Sequence, residues 1–146
     1  MKLVNLCLVL LRPSNKVGGG AHACAKFTLN GKRYALNAFG HSHETEFLDL
    51  DDVQNGWKLM TKTMDENLPK YLAQIVVLNQ EEVFLIGGYI SNENRSESSK
   101  LIFKLECDSG EVEMCAWKKI NQSLKVARSR HLAFAVPDSL AQSICY

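Results

Sequence analysis

The sequence predicts an all-β chain made of four-stranded antiparallel units, and three observations carry that prediction. Two segments headed by tryptophan, WKLMTKTMDENLPKYLAQIVVLN from Trp57 and WKKINQSLKVARSRHLAFAVPDS from Trp117, align without a gap. Lys58 meets Lys118, Lys70 meets Arg130, Tyr71 meets His131, and Leu72-Ala73 meets Leu132-Ala133; a repeat near fifty residues marks a modular architecture. Short apolar runs also alternate with a period close to two. They are rich in β-branched and aromatic residues such as Ile75, Val76, Val77, Val83, Phe84, Ile102 and Phe103, which suits strands covered on both faces. Finally, turn-forming residues separate the runs.

Taken in order, residues 1–21 read as the last strand of a preceding unit, at 5–11, followed by a linker. The first full unit, 22–70, has strand-like runs at 22–29, 33–37, 46–50 and 57–60, with Asn30-Gly31 as a tight hairpin turn between the first two. The second unit, 71–130, has them at 72–78, 82–86, 101–106 and 117–120. Its extra length falls in two loops, SNENRSESS (91–99) and CDSGEVEMCA (107–116), as expected when repeats diverge outside their strands. Residues 131–146 open a third unit that stops after its first strand. His22, Tyr71 and His131 recur at one repeat position, which marks a packing or hydrogen-bonding role. Trp57 and Trp117 are both expected to be buried between sheets.

With 146 residues, 46% hydrophobic and 23% charged, the chain can bury one ordinary core. A formal net charge of +1 argues against nucleic acid as partner, because phosphate contacts need clustered basic side chains. No segment approaches the ~20 apolar residues of a membrane span, so no membrane partner is expected. The five cysteines, Cys7, Cys24, Cys107, Cys115 and Cys145, are odd in number and lack paired metal-ligand spacing. They read as reduced thiols in a cytoplasmic protein. The apolar run MKLVNLCLVLL and the glycosylation triplets at Asn94 and Asn121 supply the alternative, a secreted one.

The second unit carries VFLIGGY (83–89), then a strand ending in Leu105-Glu106, then Trp117, then ARSRH (127–131), and this resembles the kelch repeat. The first unit is a degenerate copy, with Ala38-Phe39 in place of Gly87-Gly88 and Leu50-Asp51 in place of the Tyr-Asp pair, although Trp57 keeps the motif's spacing. The resemblance implies four-stranded blades of a kelch-type β-propeller, which closes with ~4 to 8 blades. Two blades form an incomplete ring, so the chain reads as a fragment of a propeller. Gly87 and Gly88, followed by Tyr89, would let backbone pass close to the neighbouring sheet at a strand end, where a Cβ would clash. Trp117 would wedge between blades, and Arg128 or Arg130 would reach across to a neighbour.

The function the resemblance implies is that of a non-catalytic protein-interaction module whose loops hold a protein partner. Joined to a BTB or F-box segment, such a module would act as substrate adaptor of a cullin-type ubiquitin ligase. The alternative is a remnant of a galactose-oxidase-like or sugar-modifying propeller enzyme. No nucleophile elbow, phosphate-cradling loop or paired catalytic carboxylates stand in the sequence, so no catalytic residue and no cofactor is expected.

Two clusters invite a metal reading and lose it on spacing. His41-Ser42-His43 places two imidazoles on one side of an extended segment, but no third ligand is spaced to join them; they read as exposed loop histidines. The acidic run Glu44, Glu46, Asp49, Asp51 and Asp52 lacks the Asp-rich loop with a closing Glu that calcium requires, and reads as a solvated strand face. The partner-binding face follows from strand reversal: the loop between second and third strands and the exit from the fourth emerge on one side. That brings His41, His43, Asn92, Asn94 and Arg95 together with Lys125, Arg128 and Arg130, a basic surface suited to an acidic protein. The loop 107–116 belongs to the opposite face. Open sheet edges add an expectation of self-association.

Overall fold

A computed structural model describes residues 23–38, 44–62, 67–69, 71–92 and 95–136. Among them are nine strands, two short 3-10 turns (Val53–Asn55 and Val112–Met114) and no α-helix. The strands are β1 (Ala23–Leu29), β2 (Lys32–Ala38), β3 (Thr45–Asp49), β4 (Lys58–Leu59), β5 (Gln74–Leu78), β6 (Glu82–Ile86), β7 (Tyr89–Asn92), β8 (Arg95–Glu106) and β9 (Ala116–Arg128). They form two antiparallel sheets, β1-β2-β3-β4 and β5-β6-β8-β9, with β7 pairing the N-terminal part of β8.

The hairpin turns follow from local chemistry. Asn30 and Gly31 both have positive φ, 51° and 78°, as a two-residue primed turn demands, and Leu29 pairs directly with Lys32 across it. Leu78 instead pairs with Glu82. The extra residue shifts β6 by one place relative to β2, and one place exchanges the two faces of a strand.

That shift decides how the sheets meet. On a strand, side chains and backbone hydrogen-bonding groups alternate together, so a residue's ladder direction identifies its face. In β2 the Arg33 carbonyl accepts from Leu50 at 2.9 Å, so Arg33, Ala35 and Asn37 address β3 while Tyr34, Leu36 and Ala38 address β1. In β6 and the residue after it, Gly87 donates to the Leu101 carbonyl at 3.0 Å, so Val83 and Leu85 address β8, the third strand of the four-stranded order. Yet Tyr34, Leu36, Ala38, Val83 and Leu85 all belong to one buried cluster, with Phe27, Phe47, Phe103, Leu105 and Trp117. Opposite faces of the two sheets are therefore in contact, and they stack head to tail. The first strands are tied by the Thr28 N–H donating to the Gln80 carbonyl at 2.6 Å. Trp117, 3% exposed, closes the contact by donating its indole N–H to Thr45 Oγ1 at 3.0 Å.

Several expectations are corrected here. Trp57 is only half-buried and lies outside the shared core, because β4 is two residues long whereas β9 runs for thirteen. Residues 91–92 and 95–99 are strand and not loop: Tyr89 to Asn92 pair with Ser98 to Arg95. This lengthens β8, and the longer β8 in turn holds residues 121–128 as strand, where a loop was expected. Glu46 is 2% exposed rather than solvated, since its strand is covered on both faces. Residues 131–136 carry no strand assignment.

Cysteine chemistry differs too. Cys107 and Cys115 form a disulfide instead of staying reduced. The β8–β9 register explains it: Leu105 faces Trp117 and Glu106 faces Ala116, so the next pair in the ladder is Cys107 with Cys115. Among the described residues no helix is long and apolar enough to cross a membrane.

Candidate functional site

One end of the second sheet is organised by Gly87-Gly88. Both glycines take positive φ, 62° and 96°, and both are hemmed in. A Cβ on Gly87 would lie 2.6 Å from the Arg128 carbonyl oxygen and 2.8 Å from His131 Cε1, and one on Gly88 would lie 2.6 Å from Pro69 Cβ and 2.8 Å from Ala73 Cβ. The Gly88 N–H donates to the Arg128 carbonyl at 2.8 Å and its own carbonyl accepts from Ser99 at 2.8 Å. Backbone thus threads between the segment entering the sheet, at Pro69 and Ala73, and the segment leaving it, at Arg128 and His131; the close approach is to these flanking segments and not to the neighbouring sheet.

Threading gathers side chains from three distant stretches. Tyr89 donates its N–H to the Tyr71 carbonyl at 2.8 Å, and the two rings stack with centroids 5.4 Å apart and planes inclined by 20°. The Ser98 and Ser129 hydroxyls hydrogen-bond at 2.8 Å. The Arg130 N–H donates to the Leu72 carbonyl at 3.3 Å, and both residues are held in the left-handed region, at φ 54° and 63°. Such conformations cost of order 1–3 kcal/mol each in a non-glycine residue and cluster at binding sites. Between these groups lies a cleft of about 360 Å³ lined by Tyr71, Leu72, Tyr89, Ser129 and Arg130.

Electrostatics favour an anion at this end. Arg128 and Arg130 are exposed, and among the described residues neither is ion-paired. Lys118 belongs elsewhere: it bridges Glu106 at 2.7 Å and Asp108 at 3.4 Å at the far end of the sheet. Behind the cleft, both ring nitrogens of His131 are buried without a hydrogen-bond partner. Burial, and then the charge of Arg128, hold this imidazole below its ordinary value of 6.5; its neutral form is the one that packs.

The structure brings together Tyr71, Gly87, Gly88, Tyr89, Arg128, Arg130 and His131. Lys125 sits in a bulged stretch of β9, where Leu101 pairs with Ser123 but Ser99 pairs with Arg128. Asn92 and Arg95 are the last pair of the β7–β8 hairpin. His22, His41, His43 and Asn94 lie outside the described residues. Sequence reasoning missed Ser129 and Leu72, which carry no chemical signature until a cleft forms around them.

A second cleft, of about 540 Å³, occupies the opposite end between the Asn30 turn and the disulfide-closed loop, with Tyr34, Phe47, Asp49, Gly110 and Val112 among its walls. Asn30 Nδ2 donates to the Gly110 carbonyl at 3.0 Å and Thr61 donates its N–H to the Glu113 carbonyl at 2.9 Å, so this loop fastens one sheet to the other. Loop 107–116 is therefore remote from the arginine cleft, as strand reversal predicts. No family model matches the chain, and no curated protein matches it.

Proposed function

We propose that the chain is a kelch-type protein-interaction module and that the Tyr71–Tyr89 cleft, rimmed by Arg128 and Arg130, holds an acidic segment of a partner protein. The observation that carries the reading is the cleft itself, an aromatic stack beside Arg130, with Arg128 two residues before it in the chain; neither arginine is ion-paired among the described residues. Stacked rings offer rigid contact area at low entropy cost, and an arginine that is not ion-paired among the described residues can pair with an incoming carboxylate. The kelch reading is supported by two antiparallel sheets, of four and five strands, stacked head to tail, by the crowding at Gly87 and Gly88, and by Trp117 wedged between the sheets. The Cys107–Cys115 disulfide favours an oxidising compartment for the module over the cytoplasm.

An array of Asp- and Glu-rich peptides, probed with the parent chain and with Arg128→Glu/Arg130→Glu, tests this. Binding by the parent should be lost in the double variant and should weaken with salt. If charge reversal at Glu111 and Glu113 in the opposite cleft abolishes binding while the arginine variant keeps it, the site has been placed at the wrong end.

A further inference from the structure

Each sheet of a head-to-tail stack has two faces to cover, and the second sheet covers one. Its other face presents Val76, Leu78, Phe84, Ile86, Ile102 and Ile120, which line an apolar groove of about 490 Å³. By ladder direction it is the counterpart of the face bearing Phe27, Tyr34 and Leu36 in the first sheet, which is buried against its neighbour. Along the groove runs LAFA, Leu132 to Ala135, whose two large side chains stand out at 87% (Leu132) and 76% (Phe134) exposure.

We propose that this groove is a self-association surface, on which a second copy of the same chain docks its own groove about a two-fold axis. Three observations select that occupant. The groove is lined by apolar residues throughout, so a copy meets no like-charge repulsion. It carries projecting side chains, Leu132 and Phe134, beside a hollow that could receive them, and a two-fold contact requires such self-complementarity. Growth by continued head-to-tail stacking would need the outward face of the first sheet. There Ala35, Asn37, Glu46 and Leu48 are already buried, at 2–9% exposure, so the contact closes as a dimer instead of extending as a fibre.

Sedimentation velocity on the full chain across a concentration series tests this, beside Phe134→Glu and Leu132→Glu. Both residues are so exposed that the variants should fold as the parent does, which circular dichroism would confirm. The parent should form a dimer and nothing larger. Each variant should weaken it by about a hundredfold, since an interface anchor worth about tenfold is lost twice across a two-fold axis. A parent chain that stays monomeric at ~100 μM overturns the proposal. So does an open-ended series of larger species, or a dimer that both variants leave intact.

Discussion

Replacing Gly88 with alanine adds a methyl group where the fold has no room for one. The new Cβ would stand 2.6 Å from Pro69 Cβ and 2.8 Å from Ala73 Cβ, against an ordinary carbon contact of about 3.5–4.0 Å. Neither neighbour can swing away, because one is fixed in a ring and the other is the root of a buried alanine. Opening that gap by about 1 Å should cost about 1–3 kcal/mol as overpacking. The backbone adds its own penalty of about 1–2 kcal/mol, because φ is 96° and L residues avoid that region. Gly31→Ala separates the two terms: φ there is 78° with nothing within 4 Å of the added Cβ, so only the backbone term applies. In urea titrations with unchanged slope, Gly88→Ala should lose about 2–5 kcal/mol and Gly31→Ala about 1–2. Equal midpoints for the two variants would show that the close threading at Gly88 does not exist in solution.

Trp117→Ala should cost about 3–5 kcal/mol, as for a large aromatic removed from a core, whereas Trp57→Ala, at a half-buried position outside that core, should cost clearly less; equal losses in denaturation would contradict the assignment. Trp117→Phe keeps much of the volume but strands the Thr45 hydroxyl, so a loss of about 1–3 kcal/mol is expected, and a neutral result would place the indole N–H outside that bond. For His131, whose folded value is depressed, the unfolded chain binds the proton more readily, so stability is full above pH 6.5 and declines as pH falls below it. The difference in stability between parent and His131→Phe should shrink or reverse on that descent, and a pH-independent difference would mean that the imidazole is solvated.

Much of the strand plan was legible because it rests on local chemistry. Asn30-Gly31 can hardly be anything but a primed turn between alternating runs, and the apolar runs around Val76, Val83 and Phe103 announced strands that the structure contains. For Gly87-Gly88 the sequence suggested a close backbone approach, but the residues that press on the pair, Pro69, Ala73, Arg128 and His131, flank the same sheet and do not belong to the neighbouring one. What could not be read depends on pairing partners. SNENRSESS looks polar enough for a loop, but its backbone groups find a ladder in the β7–β8 hairpin. Cys107 and Cys115 are too far apart in sequence for a familiar motif, and only the β8–β9 register sets them opposite each other. Trp57 and Trp117 share a sequence position yet not a surrounding, because the strands that follow them differ in length. The cleft was half legible: the arginines and tyrosines stood out by type and repeat position, whereas Ser129 and Leu72 enter it only through the folded backbone.

The bulges of β9 act as slack in the chain. Residues 119–128 cover the same stretch of ladder that β8 spans with 99–103, so the surplus backbone is taken up sideways. Trp117 is pinned in the core at one end and Arg128 is pinned by Gly88 at the other, and the length between them is free of either constraint. Residues can be added or lost inside 120–127 without moving the two anchors, which makes this stretch the natural place for related sequences to differ in length.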